Sequence, residues 1–490
     1  MRLDFGEANM SDRTGVPAEQ VARYDESSAE GLIGQAPPSP AGPLEAEEAA
    51  GLPEPPAIAM PRLLQVLRFN QRQIEFVFRA RRELGEVFRM DGVIAGRPVV
   101  TSHPDHARSL FTAKPEQAPS LTRESPLRPI VGPNSVLTAV GERHMRQRKL
   151  LLPSFHGEAV ARYAQMIADA AEREIESWPV GQPFPLVPRM QAITLDVIMA
   201  GIFGIESRPA RGRPEHGLRA TTKSLLAAST WPTAQIGELM NLGREEPRGP
   251  LRAAMAILDR PTYAVISQRR RTEDLEGRHD ILSLLLRAQT EDGEKLSDRE
   301  VRDELLTLVL AGHETTANSL AWTWERLVRT PHAYDRLRDA VRSAEDADDN
   351  VEAAITEGMR VRPVVPMVGR RVMVPWRLGA YAVPAGTPVD VSILLLHHRD
   401  DLYPEPFSFR LERWLGRKPG TYEWIPFGGG IRRCLGATLA MAEQRVVLAA
   451  MTRRLDLEAA EPEPEHARHR NVTMIPARGA RVVVRNRRRP

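Results

Sequence analysis

The chain has 490 residues, 42% hydrophobic and 27% charged, with 67 Lys and Arg against 64 Asp and Glu for a formal net charge of +3. That is an ordinary globular profile, long enough for about three average domains or one large core. No apolar run reaches the roughly 18–20 residues that span a bilayer, and a single cysteine excludes an internal disulfide framework and makes a reducing cytoplasm the expected location.

Residues 1–56 are acidic and Pro-rich, without a sustained apolar period, and are expected to form a disordered tail. They include MRLDFGEANM, which has no secretory h-region. From Pro61, PRLLQVLRFNQRQIEFVFRARRELG has helical spacing, and VFRMDGVIAGRPVVTSHP reads as strand, turn, strand. Helices are expected around 143–152, 158–178, 193–203, 261–271 and 281–288, and a long one over 297–330, which Pro331 stops. Residues 204–250 carry weak signals and are expected to include mobile loops. Strands are expected at 370–374, 380–383, 388–391 and 481–484. The fold class is therefore mainly α with small β-sheets. The arginines are spread among acids and lack zinc-finger, RNA-binding aromatic or basic-zipper spacing, so no nucleic acid partner is expected. The pairs His103/His106 and His466/His469 lack further ligands and read as loop residues rather than a metal site.

Chemistry concentrates at Cys434, in WIPFGGGIRRCLGATLAMAEQ. Gly428 to Gly430 permit positive φ and close backbone approach to a flat ligand. The helical pattern that follows puts the cysteine at or just before a helix N-terminus, where the dipole and free N–H groups stabilise a thiolate. By itself a lone cysteine is more often a small buried hydrophobe. A phosphate cradle would need a Gly-Lys-Ser/Thr or GxGxxG unit, and neither is here. The spacing of Phe427, Gly430, Cys434 and Gly436 resembles the haem-binding loop of the cytochrome P450 family, Phe-x-x-Gly-x-x-x-Cys-x-Gly.

Further segments carry the same resemblance. In RDELLTLVLAGHETTANSL the hexapeptide Ala311 to Thr316 puts glycine and paired threonines in mid-helix, where a threonine hydroxyl can bond the carbonyl four residues back. It is similar to the family's oxygen-binding motif. The resemblance gives Thr315 the role of holding bound oxygen and its water, Glu314 that of delivering protons, and Ala311 a place beside the haem; His313 is at the variable position. Glu357 and Arg360 share a helix face three residues apart. That pattern also occurs at Glu86/Arg89 and Glu245/Arg248, so its context matters: with Arg413 in FSFRLERW the pair resembles the family's buried Glu–Arg–Arg scaffold. Leu411 and Trp414 replace the usual Pro and Phe there. His144 and Arg148, at i and i+4 in GERHMRQRKLLLPSF, resemble the propionate-binding helix. Arg432 and Arg370 occupy comparable positions, with Arg371 an alternative to Arg370. Arg143, Arg146, Lys149 and Arg433 would form a docking face for an acidic electron donor.

The resemblance spans residues 57–490 and implies one haem domain of cytochrome P450 fold. Its cofactor would be haem b (iron protoporphyrin IX), with Cys434 the iron ligand and Phe427, Gly428 and Gly436 around it. The activity implied is insertion of one oxygen atom from O2 into a mostly apolar small molecule. Ala311, Thr315, Val364 to Met367 and the region Val472 to Ile475 would line the pocket. Electrons would come ultimately from NAD(P)H, through a ferredoxin or flavodoxin and its reductase. A peroxide-using or non-redox haem-thiolate enzyme, and a non-catalytic haem-binding protein, stay open as alternatives.

Overall fold

The computed structural model describes residues 33–91, 96–155, 157–205, 209–228, 237, 240–241, 243–289 and 293–489. In chain order, β1 (Ala41–Pro43) and α1 (Ala46–Ala50) come first. The segment after Pro61 forms two helices, α2 (Arg62–Gln71) and α3 (Gln73–Leu84). They part at Arg72, whose φ of −143° and ψ of 57° leave the helical region. The antiparallel β2 (Val87–Arg89) and β3 (Val99–Thr101) follow, then α4 (Pro104–Thr112). Next come α5 (Gly141–Leu151), α6 (Glu158–Glu176), β4 (Pro183–Pro185), α7 (Val187–Phe203), α8 (Pro214–Ala228), α9 (Pro250–Arg270), α10 (Ile281–Arg287) and α11 (Asp298–Leu327). The remainder is α12 (Pro331–Ser343), α13 (Ala347–Val361), β5 (Met367–Arg371), β6 (Trp376–Leu378), β7 (Tyr381–Val383), β8 (Pro388–Ser392), α14 (Ala437–Arg454), β9 (Leu455–Ala459), β10 (Ala467–Arg470), β11 (Thr473–Pro476) and β12 (Arg481–Arg487).

The mainly α class with small sheets is as expected, and two element assignments change. Helix α8 lies in the stretch of weak signals, 204–250, where no helix is expected; other parts of that stretch fall outside the described residues. Helix α9 begins at Pro250 and keeps Pro261 inside it. A proline there forfeits a bond to the carbonyl of Ile257, a residue 62% exposed, where water can take the bond instead.

Close packing divides the described residues into two compact units, one from the stretches 33–118, 322–432 and 461–480, the other from 119–321, 433–460 and 481–489. In the first, a sheet of order β2-β3-β8-β5 sets Gly369 opposite Asp390 and Arg370 opposite Val389. Phe76, Val77, Phe88, Val100, Leu394 and Met474 form its core.

The N-terminal segment corrects an expectation in this unit. Residues 33–56 are held against it rather than loose; residues 1–32 lie outside the described residues. β1 pairs antiparallel with β6, and Gly34 N–H donates to Leu402 O. The His103 ring bonds Pro37 O, while His106 bonds Ser39 Oγ at 2.9 Å and Thr101 Oγ1 at 2.6 Å. Composition predicts a tail because it counts apolar side chains, whereas backbone pairing and two buried histidines do the holding here. Those histidines begin helix α4, where His103 is the N-cap, rather than lying in a loop.

The second unit is built on α7, α9, α10 and the apolar part of α11. Leu151, Met199, Ile202, Ile266, Leu285 and Leu305 lie within its core. Helix α6 packs on α14, and Arg454 ties them through Glu172 and Glu176.

Candidate functional site

Cys434 stands two residues before Gly436, the N-cap of α14. The Gly436 N–H bonds to the sulfur, and the cations Arg433 and Arg148 favour the thiolate, while desolvation, the largest effect, raises the thiol's pKa. Cys434 nonetheless presents accessible surface. Arg148 on α5 donates to Arg433 O at 2.8 Å, which places its guanidinium beside the cysteine segment. Burial, the largest influence, lowers its pKa, and Cys434 opposes that. His144, one turn earlier, is buried; Arg143, Arg146, Lys149 and Arg433 are exposed.

The glycine loop belongs to the other unit, and there the structure assigns two of its glycines a purpose that spacing alone does not reveal. A Cβ on Gly430 would sit 1.9 Å from Phe111 O, and one on Gly429 2.4 Å from the Phe111 ring. These two glycines therefore seat the loop on α4. A Cβ on Gly428, with φ of 67°, would meet nothing within 4 Å. Phe427 packs edge-on against Trp424 at 6.0 Å, and Arg432 is half-buried on the short turn Gly430–Arg432.

Arg370 is 7% exposed. Its guanidinium donates only to Gly369 O at 3.0 Å and lies 5.0 Å over the Phe111 ring; no ion pair holds it among the described residues. Burial lowers its pKa to about 10. A buried cation with so little compensation fits an anionic ligand group. The choice between Arg370 and Arg371 is resolved as to burial: Arg371, next along β5, points to the other face and donates to Gly386 O at 2.6 Å.

Helix α11 runs unbroken through the Ala311–Thr316 hexapeptide. Thr315 Oγ1 donates to Ala311 O at 2.6 Å, the back-bond expected of it, which leaves its oxygen lone pairs to accept. A Cβ on Gly312 would press on Ile198 Cδ1 at 3.1 Å, so part of the reason for this glycine is its packing against α7. His313 is buried and bonds Gln191 O, consistent with a structural place. Glu314 is half-buried.

Glu357, Arg360 and Arg413 have no solvent exposure and form one cluster in the first unit. Arg360 grips Glu357 through both carboxylate oxygens, at 2.7 and 2.8 Å, and donates to His397 O, Pro406 O and Ser408 O. Arg413 donates to Glu357 at 3.3 Å and to the carbonyls of Pro404 and Glu405. Despite the burial penalty, these cations hold the Glu357 carboxyl below its ordinary pKa. Trp414 Nε1 donates to Glu357 at 2.9 Å, so the residue that departs from the usual motif joins the cluster. A polar indole beside the expected arginine is the signal that would have found it. Nothing comparable in the sequence pointed to Phe111. Between the two expected pocket stretches of this unit, Met474 N–H donates to Val364 O at 2.7 Å.

A family model described as Cytochrome P450 matches residues 53–483. The chain is 37% identical over 406 residues to cytochrome P450 137 of Mycobacterium tuberculosis, covering 82% of this chain and 83% of that protein. It is 37% identical over 444 residues to cytochrome P450 138 of Mycobacterium bovis, covering 88% and 96%. In fold it is similar to retinoic acid-bound cyanobacterial CYP120A1, with a TM-score of 0.73 at 22% identity, covering 89% of this chain and all of that one. The haem domain of cytochrome P450DA gives the same score and identity.

Proposed function

This chain belongs to the cytochrome P450 family, and from that premise we propose that it is a cytoplasmic haem-thiolate monooxygenase inserting one atom of O2 into a mostly apolar small molecule. The observation that carries the proposal is Cys434: a thiol before the α14 N-terminus, bonded by the Gly436 N–H, with Arg148 held beside it.

Cys434 would ligate the iron. His144, Arg148, Arg370 and Arg432 would hold the haem carboxylates, and Arg370 fits this role through its lack of an ion pair. Ala311, Phe427, Gly428 and Gly436 would line the ring. Bound haem supplies the oxygen chemistry, with a thiolate ligand favouring O–O cleavage. The chain's share is positioning and proton supply. Thr315 Oγ1, fixed by its bond to Ala311 O, would accept a hydrogen bond from a water and so hold it, and the Glu314 carboxylate would pass protons from solvent. Glu357, Arg360 and Arg413 would act only as scaffold. Arg143, Arg146, Lys149 and Arg433 would receive a ferredoxin or flavodoxin, reduced ultimately by NAD(P)H.

The test is turnover under 18O2 with NAD(P)H, a ferredoxin or flavodoxin and a reductase, across a panel of apolar compounds. One labelled oxygen in the product is expected. Product formed with peroxide alone, and no NAD(P)H consumption, would favour the peroxide-using alternative. Thr315→Ala should retain haem yet divert reducing equivalents to hydrogen peroxide; unchanged coupling would contradict its proton role.

A further inference from the structure

The sheet β2-β3-β8-β5 carries a charge that its own packing does not explain. Asp390 lies in β8, an inner strand of that sheet, and aspartate is a residue that strands disfavour. Residues paired across a sheet project to the same face. Val100 and Gly369 flank Asp390 on its two sides, and Phe88 pairs with Val100, so these four form one row. Phe88 and Val100 are fully buried and belong to the apolar core of this unit. Gly369 has no side chain with which to cover the carboxylate, and Asp390 is half-buried rather than sealed.

The chain offers this carboxylate no partner. It has no hydrogen bond or ion pair among the described residues, and burial alone raises its pKa, to about 6. Arg370 projects to the opposite face, and Arg371, on the same face, donates to Gly386 O at 2.6 Å. Ser392, two residues along β8, is fully buried, and its Oγ accepts from Leu395 N–H. The sheet therefore holds an uncompensated cation on one face, Arg370, and an uncompensated anion on the other. A carboxylate ionised beside apolar side chains is costly unless a cation meets it.

The position says what kind of cation fits. Met367 lies on the same face, two residues before Gly369, and packs on the core that includes Met474. Both belong to the stretches expected to line the pocket, Val364 to Met367 and Val472 to Ile475. A bare metal ion would need several ligands, and among the described residues no group of three or more His, Cys, Asp or Glu could hold one. An organic ammonium needs one carboxylate and brings its own apolar body for the rest of the face. We propose that Asp390 binds the protonated amine of a substrate whose remainder is apolar. This rests on the monooxygenase reading and narrows its substrate class to lipophilic amines.

The experiment is equilibrium dialysis of the full-length holoprotein at neutral pH against matched pairs of compounds: N,N-dimethyldecylamine with decanol, and N,N-dimethylphenylbutylamine with phenylbutanol. Each amine should bind about tenfold to a hundredfold more tightly than its alcohol, the range of one charged hydrogen bond. Asp390→Asn should erase that difference and leave the affinity for the alcohols unchanged, whereas a residue that only supported the fold would lower both. Unchanged haem content and thermal midpoint would show that the variant is folded, and Asp390→Ser gives the same comparison if it is not. Amines bound no more tightly than their alcohols, or a preference that survives the substitution, overturns the proposal. Dialysis needs no turnover, so the two readings fail separately. An Asp390-dependent preference for amines without labelled product under 18O2 would contradict the monooxygenase reading and leave the amine site standing. Labelled product from neutral compounds, with no preference for amines, would do the reverse.

Discussion

Two buried arginines in the same unit, Arg360 and Arg370, have opposite surroundings. Arg360 is saturated: a carboxylate gripped at two oxygens, three carbonyls, and the Tyr403 ring at 5.1 Å from its guanidinium. Arg370 has one neighbouring carbonyl and one ring face. Desolvation costs both, but among the described residues only Arg360 finds the partners that offset it. The first region is therefore complete as folded, and the second would be completed by an anion, in keeping with the haem-carboxylate role proposed for Arg370. Structural charge and binding charge are thus told apart by whether the protein itself supplies the partner.

The largest test removes the saturation. Glu357→Ala would leave Arg360 and Arg413 as buried cations without their carboxylate, at a cost of about 3–5 kcal/mol in unfolding free energy by denaturant titration. A loss near zero would mean the cluster is not a scaffold. The complementary change, Arg370→Leu, should leave the stability of haem-free protein unchanged or raised, while haem binding weakens by about 1.5–3 kcal/mol, roughly tenfold to a hundredfold. Competition for haem against an acceptor protein measures this. If Arg370→Leu instead destabilises the haem-free protein as much as Glu357→Ala, the two arginines do not differ in kind. Trp414→Phe sharpens the saturated side: losing one N–H donor to Glu357, it should cost about 1.5 kcal/mol and leave haem content intact.

The smallest effect is local and concerns a saturated neutral group. Burial, aided by the neighbouring His103, lowers the His106 pKa to about 4. A folded-state value below the ordinary 6.5 means that its contribution is present above pH 6.5 and is lost as pH falls from there through about 4. Its bonds to Ser39 and Thr101 should therefore weaken in acid. Hydrogen exchange should show the segment around Ser39 opening before the rest of its unit, and His106→Gln should flatten that dependence. An opening with no change over this range would contradict the role given to His106.

Motifs set by neighbours in sequence were the most legible. The cysteine loop, the Ala311–Thr316 hexapeptide and the Glu357/Arg360 pair depend on spacing along one element, and spacing is written in the chain. The Thr315 back-bond is such a case. What spacing could not show was partnership across long separations. Phe111 gives Gly429 and Gly430 their reason, and it lies more than three hundred residues earlier. Trp414 reads from the sequence as a tolerated departure, and its indole bond to Glu357, 57 residues away, is beyond what spacing shows. Residues 33–56 looked loose by composition because β1 pairs through its backbone with a strand far along the chain. That Arg370 is the buried one of the pair Arg370/Arg371 follows from how β5 lies in its sheet, which spacing does not show.

The central claim is that Cys434 is a haem-iron ligand in its thiolate form. The absorption spectrum of the reduced, CO-bound protein tests it most directly. The thiolate-type spectrum is predicted for wild type and its loss for Cys434→Ser; a histidine-type spectrum from the wild-type protein, or no haem at all, would contradict the account.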